Sequence, residues 1–250
     1  MRVVKIGAVT DVHQSPREDM RGHMRRFVDD MNNNFLPDLV VELGDFIDGG
    51  KVDERVEEEE LRKINEVYAQ CKAPRYYVMG NHDLVNVSRS RFKEIVGIDY
   101  NWTSITVDFI HIIFLDGVGG LEYTTPSLLG HIPEEELDWL RKDLEKIPAD
   151  QPIIVFCHYP IRLYRFFGVR GGLNNEEELM RTFEGYNLIA TFGGHYPGLG
   201  GYKEFRGVHH ISLSNIRASY AKITITPTEI RVDEDDARIH LMLRYKNKRV

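Results

Sequence analysis

Short apolar runs alternate with amphipathic stretches along the first two thirds of the chain. VVKIGAV (3–9), DLVVEL (38–43) and RYYVM (75–79) read as strands. Between them SPREDMRGHMRRFVDDMNNNF (15–35) reads as a helix, with Ser15 as N-cap, Pro16 at the first helical position and Glu18 closing a capping box. DERVEEEELRKINEVYAQC (53–71) is a second helix and SRSRFKEIV (88–96) a short third. TSITV (103–107) and HIIFLD (111–116) are strands on either side of Asp108-Phe109-Ile110. IPEEELDWLRKDLEKI (132–147) is a helix with Pro133 at its start and acids in its first turn. PIIVF (152–156) and NLIAT (187–191) are strands flanking the helix NNEEELMRTFEGY (174–186). Beyond residue 200 the chain holds only strands: YKEF, VHHISL, YAKITIT, EIRVDE and ARIHLMLRY, with a turn at Thr226-Pro227-Thr228.

Alternating β and α succeeded by a run of β predicts one α/β domain over residues 1–250 with an additional, largely antiparallel sheet. A composition 42% hydrophobic and 28% charged agrees with a globular chain. The formal net charge of -7 argues against general nucleic-acid binding by phosphate attraction. The two cysteines, Cys71 and Cys157, have no zinc spacing and make no disulfide framework, and Cys157 ends an apolar run as a buried core residue. No secretory h-region opens the chain and no apolar run approaches a membrane span, so a cytoplasmic protein without a membrane partner is expected. The acid runs Glu57–Glu60 and Asp233–Asp236 read as solvated surfaces.

The residues at the end of each apolar run carry the chemistry. Asp11-Val12-His13 comes after IGAVT, Gly44-Asp45-Phe46-Ile47-Asp48 after DLVVEL, and Gly80-Asn81-His82-Asp83 after RYYVM. Cys157-His158-Tyr159-Pro160 comes after PIIVF, and Gly193-Gly194-His195 after NLIATF. Any one cluster reads as ordinary loop chemistry. Five strands ending alike are another matter, because open α/β sheets bind ligands outside their carboxyl ends. Hard carboxylates mixed with imidazoles, and no thiolate pair, suit Mn, Fe or Zn. Two such cations clamp the attacking and leaving oxygens of an in-line displacement, as phosphate-ester hydrolysis requires.

Asp-x-His, Gly-Asp-x-x-Asp, Gly-Asn-His-Asp, a lone His and a Gly-His motif, in this order from residue 11 to 195, resemble the calcineurin-like metallophosphoesterase superfamily. The resemblance implies a four-layer α-β-β-α sandwich with two mixed sheets flanked by helices. It implies two metal ions, a small phosphoester substrate and a hydroxide nucleophile between the metals. Asp45 would bridge both metals, Asp11 and His13 would complete the first site, and Asn81, His158 and His195 would hold the second. His82 would be the catalytic histidine, Asp83 would orient it by accepting its other ring proton, and Asp48 would be an acceptor beside the metals.

One motif departs from the pattern. The family has Gly-His-x-His where this chain has Gly194-His195-Tyr196-Pro197, so the first metal lacks a ligand at Pro197 and is expected to bind more weakly. Water filling the open position is the expected compensation; His209 or His210 substituting, or an impaired site, are the other readings. The segment YPIRLYRFFGVRGG carries Arg162, Arg165 and Arg170 among Tyr164, Phe166 and Phe167, a cap able to hold a phosphate and stack a base, or equally a packed amphipathic loop. Arg89 and Arg91 stand in the same position between two readings, and His111 and Asp116 read as structural. The expected activity is phosphodiester or nucleotide-type ester hydrolysis. A phosphomonoesterase with the same site, or a non-catalytic metal-binding protein whose site decayed at Pro197, are the rivals.

Overall fold

Alternate residues of the first strand face two different cores. In β1 (Val4–Val9), Val4, Ile6 and Ala8 join one apolar cluster and Val9 another, as a strand covered on both faces requires. The structure, a computed structural model, describes residues 3–50, 52–119, 129–162, 172–196, 201–234 and 239–245. After β1 come α1 (Arg21–Asp30), β2 (Leu39–Glu42), α2 (Glu54–Tyr68), β3 (Arg75–Tyr77) and α3 (Arg89–Val96). Next are β4 (Thr103–Val107), β5 (Ile110–Leu115), β6 (Leu129–Gly130), α4 (Glu134–Leu144), β7 (Pro152–Cys157) and β8 (Gly172–Leu173). The last third holds α5 (Glu176–Thr182), β9 (Asn187–Gly193), β10 (Gly201–Phe205), β11 (Val208–Ser212), β12 (Ala221–Ile225), β13 (Glu229–Glu234) and β14 (Ile239–Arg244).

The strands form two large mixed sheets, ordered β14-β13-β12-β1-β2-β3 and β10-β11-β9-β7-β5-β4, with β6 and β8 paired separately. The expected sandwich with helices outside both sheets is therefore present. The tail differs from expectation. It makes no sheet of its own: β10 and β11 extend the second sheet beside β9, while β12 to β14 extend the first beside β1. A strand's sheet is chosen by the edge left open to it, and each half of the molecule leaves one.

Between the sheets Val41, Ile112, Ile154, Ile189 and Ile223 are fully or almost fully buried. A row of rings runs through this layer. Tyr76 stacks on Phe114 at 4.5 Å, Phe114 on Phe156 at 5.6 Å, and Phe156 on Phe192 at 5.0 Å. The row crosses from β3 in one sheet to β5, β7 and β9 in the other, with Phe114, Phe156 and Phe192 in register. Outside, Met24, Phe27, Leu61 and Ile64 cover one sheet and Leu137, Leu140 and Leu179 the other. Among the described residues no helix is long and apolar enough to cross a membrane.

The first helix begins five residues later than its capping box predicts, at Arg21 instead of Pro16. Ser15 and Glu18 instead exchange backbone hydrogen bonds of 3.2 Å, and the Glu18 carboxylate is drawn off to Arg217. Gln14 Oε1 accepts the Met20 amide at 2.7 Å, so the side chain before the serine does the anchoring. At the other end the helix widens into a π-turn over Met31–Phe35 and stops at Leu36 with φ 51°.

Within the row Phe114 and Phe156 each have a ring on both sides. Phe156→Ala should lower the unfolding free energy by about 3–5 kcal/mol in denaturant titration. A loss below about 1 kcal/mol would mean that the layer closes over the missing ring.

Candidate metal centre

Five strand ends, β1, β2 and β3 from one sheet and β7 and β9 from the other, bring the predicted residues to one edge of the sandwich. The backbone there is unusual. Asp11 (φ 51°), His13 (φ 51°), Asp45 (φ 57°) and His195 (φ 69°) all adopt the left-handed conformation that non-glycine residues avoid. Such geometry persists only where the surroundings over-determine it. Here they do. Asp11 N–H donates to Gly44 O at 3.0 Å, His13 N–H to Asp45 O at 2.9 Å, and Asp48 N–H to Gln14 O at 3.1 Å. Gly44, at φ +91°, has no room for a side chain: a Cβ there would lie 2.5 Å from His158 Nδ1.

Asp83 is fully buried and accepts four backbone amides: Gly80 at 2.8 Å, Asp45 at 3.0 Å, Phe46 at 2.8 Å and Ile47 at 3.2 Å. This corrects the role expected for it. Its oxygens are taken by the backbone, and the ring proton of His82 Nδ1 goes to the Asp48 carbonyl instead. The His82 amide donates to Asp45 Oδ1 at 2.9 Å, tying the third strand end to the second.

The donor atoms fall into two groups that share Asp45. Donors of Asp45, His158 and His195 lie within 4.8 Å of one another, as do those of His13, Asp45 and His82. Asp45 Oδ2 is 3.3 Å from His158 Nε2 and 3.7 Å from His13 Nε2, so a single oxygen faces both groups. His158 Nε2 is also 3.2 Å from Asn81 Oδ1, and its Nδ1 donates to the Leu43 carbonyl at 2.8 Å, which leaves the Nε2 lone pair for the centre. Asp11 Oδ2 accepts Thr10 Oγ1 at 2.8 Å and the His195 amide at 3.0 Å, while Oδ1, 3.9 Å from His13 Nε2, is buried with no hydrogen bond among the described residues. A buried carboxylate oxygen without a donor is what a cation would satisfy, and the mixed oxygen and imidazole set suits Mn, Fe or Zn. Asp48 Oδ1 lies 3.6 Å from His13 Nδ1, beyond hydrogen-bond reach.

The remaining candidates lie elsewhere. Pro197 and residues 163–171, with Tyr164, Arg165, Phe166, Phe167 and Arg170, are outside the described residues. Arg162 pairs with Glu177 at 2.6 Å and stacks over Phe205. His209 bonds Tyr202 and the Arg244 carbonyl, and His210 bonds Thr191, so neither reaches toward the first group through these contacts. Arg91 pairs with Glu58, Arg89 with Asp116, and His111 with Asp143. Thr10 and the carbonyls of Leu43 and Asp48 went unpredicted. Carbonyls carry no sequence signal, and a threonine before the first aspartate was the one visible hint.

The family model for calcineurin-like phosphoesterases matches residues 4–198. A protein of Arcobacter nitrofigilis described as a probable glycerophosphodiester phosphodiesterase, GpdQ, is 33% identical over 133 residues, covering 50% of this chain and 42% of its own. The manganese-dependent ADP-ribose/CDP-alcohol diphosphatase of Homo sapiens is 23% identical, covering 86% of this chain and 83% of its own. The crystal structure of a dimetal phosphatase from Danio rerio superposes with a TM-score of 0.79 at 17% identity, covering 97% of this chain and 99% of that one. The chain spans about half the length of the first curated relatives it matches.

Burial raises the Asp11 carboxyl to about 6 and the Asp83 carboxyl to about 7, in each case helped by the Asp45 charge. Burial would raise Asp45 as well, but His158, His82 and His13 hold it far below the usual carboxylate range. Against its own burial, His158 is raised to about 9 by Asp45 and Asp11. Groups raised in the folded state contribute stability below their unfolded pKa and lose it as pH climbs through the folded one. Asp11 and Asp83 lose theirs between about pH 4 and 7, and His158 loses its own from there toward 9. Chelator-treated protein should therefore melt at a lower temperature at pH 8 than at pH 5. Added Mn²⁺ should restore more at pH 8. A metal-free melting temperature that rises over this interval in a thermal-shift series would contradict the assignment.

Proposed function

The chain belongs to the calcineurin-like phosphoesterase family, and from that premise we propose that it is a metal-dependent phosphoesterase acting on a phosphodiester or nucleotide-type ester. The observation that carries this reading is the position of Asp45 Oδ2 between His13 Nε2 and His158 Nε2, at 3.7 and 3.3 Å. One oxygen placed between two imidazoles fits a carboxylate shared by two cations. Asp11, His13 and Asp45 would hold one, and Asp45, Asn81, His158 and His195 the other. Manganese is the first assignment, since the human relative is manganese-dependent by name.

Bound cations supply activation of water and neutralisation of the phosphoryl charge. The chain supplies the rest. Asp83 keeps the Asp45 and Gly80 loops in one arrangement, so the donors need no rearrangement when substrate arrives. With its Nδ1 proton on the Asp48 carbonyl, His82 would act from its doubly protonated form, giving the Nε2 proton to the departing oxygen and keeping the one on Nδ1. A phosphodiester or diphosphate substrate accords with the names of the bacterial and human relatives.

Asp45→Asn should lower both metal content and hydrolysis of bis-p-nitrophenyl phosphate by at least about tenfold. Full metal occupancy together with wild-type turnover in that variant would remove the basis of the reading. His82→Ala should keep its metals while kcat drops about 10²–10⁴-fold. Loss of metal from His82→Ala at unchanged fold would make His82 a ligand, a role its place beside His13 and Asp45 also permits.

A further inference from the structure

Left-handed backbone marks a second place in the molecule. Besides the four metal-centre residues, Arg162 (φ 64°) and Arg206 (φ 52°) adopt it, and among the described residues only Leu36 and Asp108 complete the non-glycine set. Leu36 ends a helix and Asp108 sits in the tight turn between β4 and β5, which accounts for both. The arginines are less expected. Arg206 and Gly207 (φ +80°) make the two-residue turn between β10 and β11, where asparagine, aspartate or glycine would sit with less strain. Residues held against their backbone preference point toward function. The two guanidiniums meet at one ring: Arg162 Cζ lies 4.7 Å and Arg206 Cζ 5.1 Å from the centroid of Phe205.

Both arginines line a cavity of about 780 Å³, within the range of small-molecule sites. Its apolar wall is made by Met180, Phe183, Phe205, Val208 and Tyr245. Phe183, Val208 and Tyr245 are buried, so the core behind them fixes that wall. Charge at the ring is not balanced. Glu177 bonds Arg162 at 2.6 Å, Lys203 Nζ approaches Phe205 at 5.8 Å, and Arg206 forms no ion pair among the described residues. Glu204 alternates to the face of Tyr202, which packs on the inter-sheet cluster, while Arg181 and Glu184 are both exposed and Arg244 pairs with Glu229. The metal centre is far off. Asn187 opens β9 at the cavity, whereas His195 follows the other end of that strand, about 20 Å away at strand rise. We infer that this cavity binds a small organic anion, an oxyanion head on an apolar body, at a site separate from the metal centre. Guanidinium groups take such a head in charge-assisted hydrogen bonds, and the wall takes the body. The site needs no metal and stands whether or not the phosphoester reading holds.

The test uses NMR of the full chain, loaded with diamagnetic Zn²⁺ and carrying isotope-labelled methionine methyls. Met180 lines the cavity, and Met79, next to Gly80 and Asn81, reports the metal centre. Phenylphosphonate carries an oxyanion and a ring and has no ester to hydrolyse. It should shift the Met180 methyl with a Kd of about 1 mM or tighter. Methylphosphonate lacks the ring and benzyl alcohol the charge, and each should bind there at least about tenfold more weakly. Arg206→Asn keeps the turn, since asparagine accepts left-handed backbone. It should weaken the Met180 response about tenfold or more and leave the Met79 response as in wild type. Arg162→Gln should weaken the Met180 response likewise; if that variant does not fold, Arg206→Asn alone decides. A Met180 methyl unmoved at about 10 mM phenylphosphonate overturns the inference. So does either comparison compound binding as tightly, an unchanged affinity in Arg206→Asn, or equal loss of the Met79 and Met180 responses in that variant.

Discussion

Four amides converging on one buried carboxylate hold the centre together. Asp83 binds the backbone of residues 45, 46 and 47 and also that of Gly80, and so fastens the loop after β2 to the loop after β3. Without it those amides would be buried unsatisfied, at about 1–3 kcal/mol each. The left-handed Asp45 would then have little to keep it in place. Everything attached to Asp45 depends on that anchor: the His13 amide on its carbonyl, the His82 amide on Oδ1, and the two imidazoles about Oδ2.

A second dependence links the centre to the fold. Its donors come from both sheets, so their separation is set by how the sheets are stacked. The ring row from Tyr76 to Phe192 fixes that stacking, and it reaches β9 one residue before the Gly193-Gly194-His195 turn. Packing energy deep between the sheets is thereby converted into positional precision at their edge. The edge itself is unfavourable in isolation, with strained backbone and crowded carboxylates, as stability surrendered for chemistry tends to be.

The sequence made the donors legible because their types, and their place after apolar runs, obey a general rule of open sheets. It hid whatever depends on backbone groups. Asp83 looks from its neighbours like a partner for His82, yet amides 36 to 38 residues away claim it. Ser15, Pro16 and Glu18 spell a helix start, but Arg217, 199 residues from Glu18, takes the carboxylate a capping box needs. Four consecutive glutamates read as solvated, whereas helical spacing turns Glu57 and Glu60 inward and leaves Glu58 and Glu59 outside. The strand-only tail was visible as strands, but its division between two sheets depends on edges formed far upstream.

That division has a consequence for how the chain is made. β1 is an interior strand, paired with β2 on one side and with β12 on the other, where Val4 meets Ile225 and Ala8 meets Ala221. On a ribosome the first pairing is available early. The second must wait while the chain from β1 to β12 is polymerised, on the order of ten to forty seconds at ordinary elongation rates. During that interval the nascent chain carries an open edge on a strand that the fold buries, the kind of template that chaperones shield. The His195 amide that braces Asp11 and the Ile216 amide that binds the Thr10 carbonyl emerge just as late. The edge is thus completed only once the residues leading into β12 have been made, although Asp11 and His13 precede them along the chain.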